Sequence, residues 1–512
     1  MPTTLHDLNE IGIALSAEKN IERLLEMILQ KAKQISNADA GILFTKHEVE
    51  EVYLQRVRHC DSLNIHLGGT TGEPTYGHPV EIYRNGKLNK SSITSITATS
   101  KKSINIDDIT LHPEFEFPST KAFDKRRGYV TKSVLAVPMI TKRGEVIGII
   151  RLSNAQDDEG NIRPFSSETQ HMIESLASQG AIALDNDLLV AGLEELLESF
   201  IQLVAKAIDQ KSAHTGNHLQ RIPIIVQMLA EAANKSKSEA FKDFYLNAEE
   251  MYELRIAAWL HDCGKLSTPD YILEKGTKLA TFHDRIQVIG TRLELLLRDL
   301  EISHLKGELS KEEYGKQANQ VRDDWEFLQN LNLGREWVPD EEIDRLKNIA
   351  NHTWTPQLEV SDARPFFTDN ELENLSVQRG TLTASDRKII QDHILHSIDM
   401  LEHMPFPKQL QRVPEYAGAH HERMDGKGYP NGLKGDEMSI PARMMAVADV
   451  FEALTSNDRP YKTPKSLKES REIMTNMRNN GGLDPDLFDL LWDGSDVVKR
   501  YADKYLLDSQ KD

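Results

Sequence analysis

From Ile256 to Lys265 the chain reads IAAWLHDCGK, five apolar residues running straight into His261 and Asp262. Such a run reads as a buried helix end. An ionised carboxylate beside an imidazole there costs several kcal/mol unless something offsets it. A divalent cation does so, because carboxylate and neutral imidazole are among its ordinary ligands. The pattern recurs at MMAVAD, where Asp449 closes the apolar stretch that starts at Met444.

Outward from these two points lie further histidines. His214 and His218, in HTGNH, are spaced i, i+4 and so share one helix face. His393 stands in IIQDHILHS, and His420 and His421 open HHERMDGKGYP, which also holds Asp425, Gly428, Tyr429 and Pro430. Glu452, Arg459 and Lys462 follow Asp449. A lone histidine is usually a satisfied core or surface residue, and a chance His-Asp pair is common. The combination of pairs at the ends of apolar runs points to a metal centre.

HDCGK and HHERMDGKGYP, with RPYK and the C-terminal FDLLWDGSDVVKRYADKYL, resemble the HD-GYP family of metal-dependent cyclic di-GMP phosphodiesterases, an all-helical branch of the HD phosphohydrolases. The resemblance covers roughly residues 200–508 apart from one internal segment. It implies metal ligands at His218, His261, Asp262, His393, His420, His421 and Asp449, with Asp262 bridging two divalent ions. Mixed His/Asp ligation favours iron or manganese. Lys265 would meet the scissile phosphate, and Gly428, Tyr429 and Pro430 would shape the substrate wall. Arg459 and Lys462 would contact a second phosphate or a guanine, or else form surface salt bridges. The reaction implied is attack of a metal-activated hydroxide on phosphorus, giving pGpG and then GMP. Two departures stand out. His214 replaces the glutamate found in members with a third metal, so it either ligates a third ion or lines the pocket. Glu452 stands where the family often has aspartate. Another cyclic dinucleotide such as cyclic GMP-AMP, or a slow or inactive receptor signalling through its helix, are the competing readings.

The first 185 residues alternate helix and strand signals. Apolar residues recur at helical spacing from Ile21 to Ile35, and strands are expected at Ala40–Phe44, Ser133–Met139 and Val146–Leu152. SVLAVPMITKRGEVIGIIRLSNA (Ser133–Ala155), followed by Phe165 and a helix, resembles a GAF domain, an α/β sensor module. Asn154, Phe165 and Glu168 echo the signature of cyclic-nucleotide GAF domains, but Ala155 stands at its lysine. An unidentified small molecule, or a purely structural or dimerising role, is expected there. From Ile182 a heptad begins: Ile182, Asn186, Leu189, Leu193, Leu196, Phe200, Leu203 and Ala207. That spacing fits a parallel two-stranded coiled coil, or one long helix packed on its own domain.

The family's Leu-Thr stretch precedes its third histidine by eleven residues, which fits Leu382 and His393; the earlier lookalike at Leu279 leads to Gly290. Residues 280–380 therefore read as an insertion, charged and helical at first, aromatic later (Trp325, Trp337, Trp354, Phe366, Phe367). It would be a lid or partner surface, or a solvated helical hairpin with its own small core. The expected architecture is α+β and multidomain: a GAF domain over 1–185, a signalling helix over 186–210 and an all-α HD-GYP domain over 200–512.

Composition narrows the rest. The 512 residues carry 61 Lys+Arg against 80 Asp+Glu, a net charge of −19, which argues against coating a nucleic-acid polymer or anionic membrane. Two cysteines give no disulfide framework and fit a reducing cytoplasm. No signal peptide is read at Met1–Asn9, and no run approaches the ~18 apolar residues of a membrane span. A cytoplasmic homodimer acting on a cyclic dinucleotide is the expectation.

Overall fold

The computed structural model describes residues 5–18, 20–47, 51–75, 78–84, 86–112, 118–211, 218–354, 363–456 and 464–511. The chain divides into two units, Met1–Leu196 and Leu197–Asp512.

The first unit is built on one antiparallel sheet. Its strands are β1 (Ala38–Lys46), β2 (Val52–Cys60), β3 (Ile65–Gly68), β4 (Val80–Glu81), β5 (Ile104–Ile106), β6 (Val134–Ile140), β7 (Val146–Gln156) and β8 (Ile162–Arg163). The order is β3-β2-β1-β7-β6-β5, with β8 on β7 and β4 on β2. Helix Ile21–Ser36 starts where Asn20 accepts from the Arg23 amide and stops where Asn37 turns left-handed at φ 48°. Its Leu24, Leu25, Ile28 and Leu29 pack with Ile173, Leu176 and Ala177 on one face of the sheet, over Leu43, Val57, Leu135 and Ile150. The other face gathers Ile42, Phe44, Val134, Ala136 and Ile149 under Ile93 and Ala98. The expected GAF strands and helix are all present.

The GAF signature residues serve the fold. Asn154 adopts φ 57°, donates to the Tyr129 hydroxyl at 3.0 Å and the Val130 carbonyl at 2.8 Å, and accepts from the Lys132 amide at 2.8 Å. Phe165 is in the core and Glu168 is exposed.

A single helix runs from Ser167 to Lys211. Every position of the predicted heptad seam, from Ile182 to Ala207, is exposed, whereas Ile201, Ala205 and Ile208 are buried in the second unit's core.

The second unit is helical. Helices His218–Lys235, Ala248–Leu260, Val413–Gly418 and Ile440–Thr455 enclose a core of Leu229, Leu254, Ala257, Tyr416, Met444 and Val447. Residues 279–375 have a separate core in which Ile289, Leu293, Val321, Leu328, Leu346, Phe366 and Phe367 meet. There helix Ile286–Leu305 lies so close to Lys311–Asn332 that a Cβ on Gly290 would come within 2.8 Å of the Trp325 ring. Phe366, Phe367 and Trp325 join that core, while Trp337 is exposed. Among the described residues no helix is long and apolar enough to cross a membrane.

Candidate metal centre

Four segments deliver the site. The Ala248–Leu260 helix, fixed at its start by a capping box between Asn247 and Glu250, ends on His261 and Asp262. The next turn, Cys263–Ser267, lies directly on the helix that begins at His393. A Cβ on Gly264 would sit 1.9 Å from the His393 carbonyl oxygen and 2.5 Å from the Ser397 amide, so only glycine permits that contact. The Gly264 amide then donates to the Ser397 hydroxyl at 2.9 Å. Helix Val413–Gly418 leads into His420 and His421, and helix Ile440–Thr455 carries Asp449 and Glu452. His218 opens its own helix.

These residues converge around Asp262. Its Oδ2 lies 3.4 Å from His261 Nε2 and 3.7 Å from His218 Nε2; its Oδ1 lies 3.2 Å from His393 Nε2 and 4.0 Å from His420 Nε2. His218 Nε2 is also 3.3 Å from Asp449 Oδ1. The ligand-type atoms fall into overlapping groups: His218, His261 and Asp449; His261, Asp262 and His420; His393, His420 and His421. Asp262 thus faces two clusters, one through each oxygen.

The tautomers decide what fits between them. His261, His393 and His420 each donate Nδ1–H to the carbonyl three residues back, Ala258, Ile390 and Ala417, at 2.9, 2.5 and 2.6 Å. Their Nε2 atoms therefore carry bare lone pairs. Those of His261 and His393 are buried, have no hydrogen-bond partner and face carboxylate oxygens. Lone pair against lone pair in a site only 0–3 % exposed is repulsive, and a cation between them resolves it. The residues fit divalent ions on this ground.

Electrostatics agrees. Burial pushes His261 below its ordinary value, His420 well below it, and His421 down to about 4, so all three are neutral, the ligating form. Burial alone would raise Asp262, but the Lys265 ammonium beside it holds it well below the usual carboxylate range. Burial also opposes charge on His218. The carboxylates of Asp449 and Glu452 outweigh it and push His218 up to about 10; a bound cation takes that proton's place.

Lys265 Nζ donates to Asp262 Oδ2 at 2.5 Å. The Tyr429 ring stacks, tilted, 4.8 Å from that of His421. Gly428 has the Glu422 Cα and the Arg423 amide 2.5 Å from where a Cβ would be. His214, Arg459 and Lys462 lie outside the described residues.

Sequence reading missed three supports. Glu452, noted only as a departure, accepts the Nδ1 proton of His218 in a close contact and takes a longer 3.4 Å bond from Arg221. Ser397 holds the Gly264 turn. Glu422, buried, accepts the Asn431 and Leu433 amides at 2.7 and 2.9 Å and so pins the loop after Gly428–Pro430. Glu422 could have been found from its place beside the histidine pair. Of the histidines between residues 280 and 380, His304 stacks 5.2 Å from Tyr314 and donates to the Leu309 carbonyl, away from any ligand group.

Comparison with known proteins agrees with this layout. The GAF domain family matches residues 20–184 and the HD domain family residues 367–487. The 3'3'-cGAMP-specific phosphodiesterase 1 of Vibrio cholerae serotype O1 is 27 % identical over 300 residues, 59 % of this chain and 42 % of the relative. Its 3'3'-cGAMP-specific phosphodiesterase 2 is 37 % identical over 117 residues, 22 % of each chain. A cyclic di-GMP phosphodiesterase of Thermotoga maritima is 42 % identical over 102 residues, 20 % of this chain and 27 % of the relative. The chain thus spans less than half the length of each of these relatives. HD-domain phosphohydrolases depend on metals, and this chain has groups able to hold them. The GAF match falls on the N-terminal unit and the HD match within the second, the two kinds of domain that the motifs led us to expect.

Proposed function

We propose that this protein is a metal-dependent phosphodiesterase that opens cyclic di-GMP to pGpG, GMP or both, under control of its GAF domain. The observation that carries the reading is the pair of bare, buried Nε2 atoms of His261 and His393 on opposite sides of one carboxylate. In this reading His218, His261, Asp262 and Asp449 hold one ion and Asp262, His393, His420 and His421 the other, iron or manganese. When bound, such ions supply Lewis acidity and lower the pKa of water towards neutrality.

The chain's own residues do the rest. Asp262 orients both positions from a single carboxylate. Lys265, whose side chain keeps 22 % of its exposure, reaches the mouth of the site and neutralises charge on the phosphoryl oxygens. Tyr429, held on His421 by the Gly428–Pro430 loop, forms the substrate wall. Glu452 keeps the His218 proton on Nδ1 and its Nε2 free. Arg459 and Lys462 are assigned to the second phosphate, and His214 to the pocket or a third ion.

The domain plan that goes with this is a GAF sensor over 1–185, a signalling helix over 186–210, and the phosphodiesterase domain over 200–512 with 280–380 inserted. The exposed seam from Ile182 to Ala207 supports a parallel homodimer, and the two free cysteines, Cys60 and Cys263, support a cytoplasmic setting. A second substrate reading, cyclic GMP-AMP, is favoured by the names of the two Vibrio cholerae relatives above.

The test is incubation of the full chain, loaded anaerobically with Fe(II) or Mn(II), with cyclic di-GMP and 3'3'-cGAMP in parallel, products being separated chromatographically. Linear products from cyclic di-GMP, absent with Asp262→Ala, support the reading. Faster turnover of 3'3'-cGAMP would transfer it to the second substrate. Tight binding without product would make the protein a receptor.

A further inference from the structure

The second unit holds a cavity of about 600 Å³ that none of the metal-centre side chains lines. Helix His393–Glu402 gives it Ile398, Leu401 and Glu402, and helix Val413–Gly418 gives Pro414, Glu415 and Gly418. Asn431 and Leu433 come from the loop that Glu422 pins, and Ala442 from the first turn of helix Ile440–Thr455. The first two helices are in direct contact, since a Cβ on Gly418 would fall 2.7 Å from Ile398 Cγ1. The fold itself fixes these walls.

The lining divides by chemistry. Its floor is apolar: Leu401 and Met438 are 3 % and 7 % exposed, with Ile398, Phe406 and Leu433 half-buried beside them. Its rim is acidic. Glu402, Glu415 and Glu437 are exposed there, joined by the amides of Gln411 and Asn431. Among the described residues no lysine, arginine or histidine lines the cavity. Glu415 pairs with Arg412 at 2.9 Å, and Glu437 accepts the Lys434 amide through one oxygen at 2.7 Å. Glu402 has neither a hydrogen bond nor an ion pair among the described residues. The neighbouring imidazole, His403, is spent on the Asp399 carbonyl, which accepts from it at 2.7 Å. Glu402 also closes helix His393–Glu402, at the end where the helix dipole is already negative and favours a cation. An unmatched carboxylate there, above an apolar hollow, suits a cation that brings its own hydrocarbon.

We propose that this cavity binds a small organic ammonium ion, its head on the acidic rim at Glu402 and its hydrocarbon body on Leu401, Phe406 and Met438. The volume is that of a small-molecule pocket, roughly 300–1,000 Å³, with room for a body of aromatic size. Apolar area removed from water supplies the affinity, and the rim carboxylates select the sign of the charge. A carboxylate or phosphoryl ligand would meet three acids and no cation. The cavity shares no side chain with the metal centre, so its ligand binds whether or not the second unit hydrolyses a cyclic dinucleotide.

Three probes share one body and differ in charge: 4-phenylbutylammonium, 4-phenylbutanol and 4-phenylbutyrate. Each is titrated into the full chain by calorimetry and added during thermal melts followed by tryptophan fluorescence. All five tryptophans (Trp259, Trp325, Trp337, Trp354 and Trp492) lie in the second unit, so that signal reports the unit that holds the cavity. The ammonium should bind tightest and raise the tryptophan transition, the alcohol should bind about fivefold more weakly, and the carboxylate should not bind. Glu402→Gln should weaken the ammonium about fivefold and leave the alcohol unchanged. Glu402→Lys, which supplies a resident cation, should abolish ammonium binding. Glu402 is exposed and lysine suits a helix C-terminus, so both variants should fold. Equal binding of all three probes, or no binding of any, overturns the proposal. So does an ammonium response as strong in Glu402→Lys as in the wild type, which would place the probe elsewhere on a chain of net charge −19. If Glu402→Lys does not fold, the Glu402→Gln titration decides.

Discussion

Asp39 in the GAF unit and Asp262 in the helical unit are both buried aspartates, 5 % and 2 % exposed, and they live in opposite surroundings. Asp39 is met by donors: the Ser62 amide at 3.0 Å, the Ser62 hydroxyl at 2.8 Å and the Tyr129 hydroxyl at 2.5 Å. Burial would raise its pKa, and these bonds bring it below the ordinary value instead. Asp262 has one donor, Lys265, and otherwise faces imidazole nitrogens whose protons are committed elsewhere. The first is a finished hydrogen-bond network that ties β1 to the segment at Tyr129. The second leaves buried lone pairs facing a carboxylate, and in the reading proposed above cations complete it. Counting donors around a buried carboxylate separates a strut from a ligand where burial alone does not.

The comparison breaks most sharply by mutation of the two aspartates. Asp262→Ala should lower hydrolysis by about 1,000-fold or more while circular dichroism stays helical. Asp39→Ala should leave turnover by folded protein in place and cost the GAF unit about 2–3 kcal/mol in denaturant unfolding, because Tyr129 and Ser62 lose their acceptor. Exchange of these two phenotypes would refute the distinction. Next in size is Gly264→Ala. A methyl group 1.9 Å from the His393 carbonyl forces the Asp262 turn away from that helix, and turnover should fall about 100-fold. Near-wild-type rates would mean that the turn has slack.

Glu452→Gln sharpens the account of His218. It removes the charge that fixes the Nδ1 proton, and metal affinity measured by competition with a chelator should drop about 10- to 100-fold. The smallest effect concerns a third kind of buried charge. Lys278, in the core of residues 279–375, has one bond, to the Leu375 carbonyl at 3.2 Å, and burial pushes it down to about 8. Between pH 8 and 10.5 the unfolded chain holds this proton and the folded one does not, so stability of that unit should rise with pH across the window. Lys278→Met should flatten the rise in urea melts followed by tryptophan fluorescence.

How much was legible follows from how local each feature is. HDCGK is contiguous, and its apolar lead-in already states that a charge is being buried; the histidines and aspartates that converge around Asp262 could be named from the chain. The heptad was equally local, and all eight of its positions are exposed. What supports the site is not local. Glu452 lies 234 residues from His218, and Ser397 lies 133 from the Gly264 it holds, so no spacing rule links them. Asn154 shows the converse, a residue whose motif suggested a ligand and whose hydrogen bonds are spent on its own backbone neighbourhood.

The central claim is that one carboxylate, Asp262, is shared by two cation positions. Its most direct test is metal content. The full chain is stripped by chelator, reloaded anaerobically with Mn(II), desalted and analysed by mass spectrometry of the metal, wild type beside Asp262→Ala. The account predicts at least two ions per wild-type chain and loss of two in the variant. A wild-type chain that retains no divalent ion, or an Asp262→Ala chain that keeps the full complement, would contradict it.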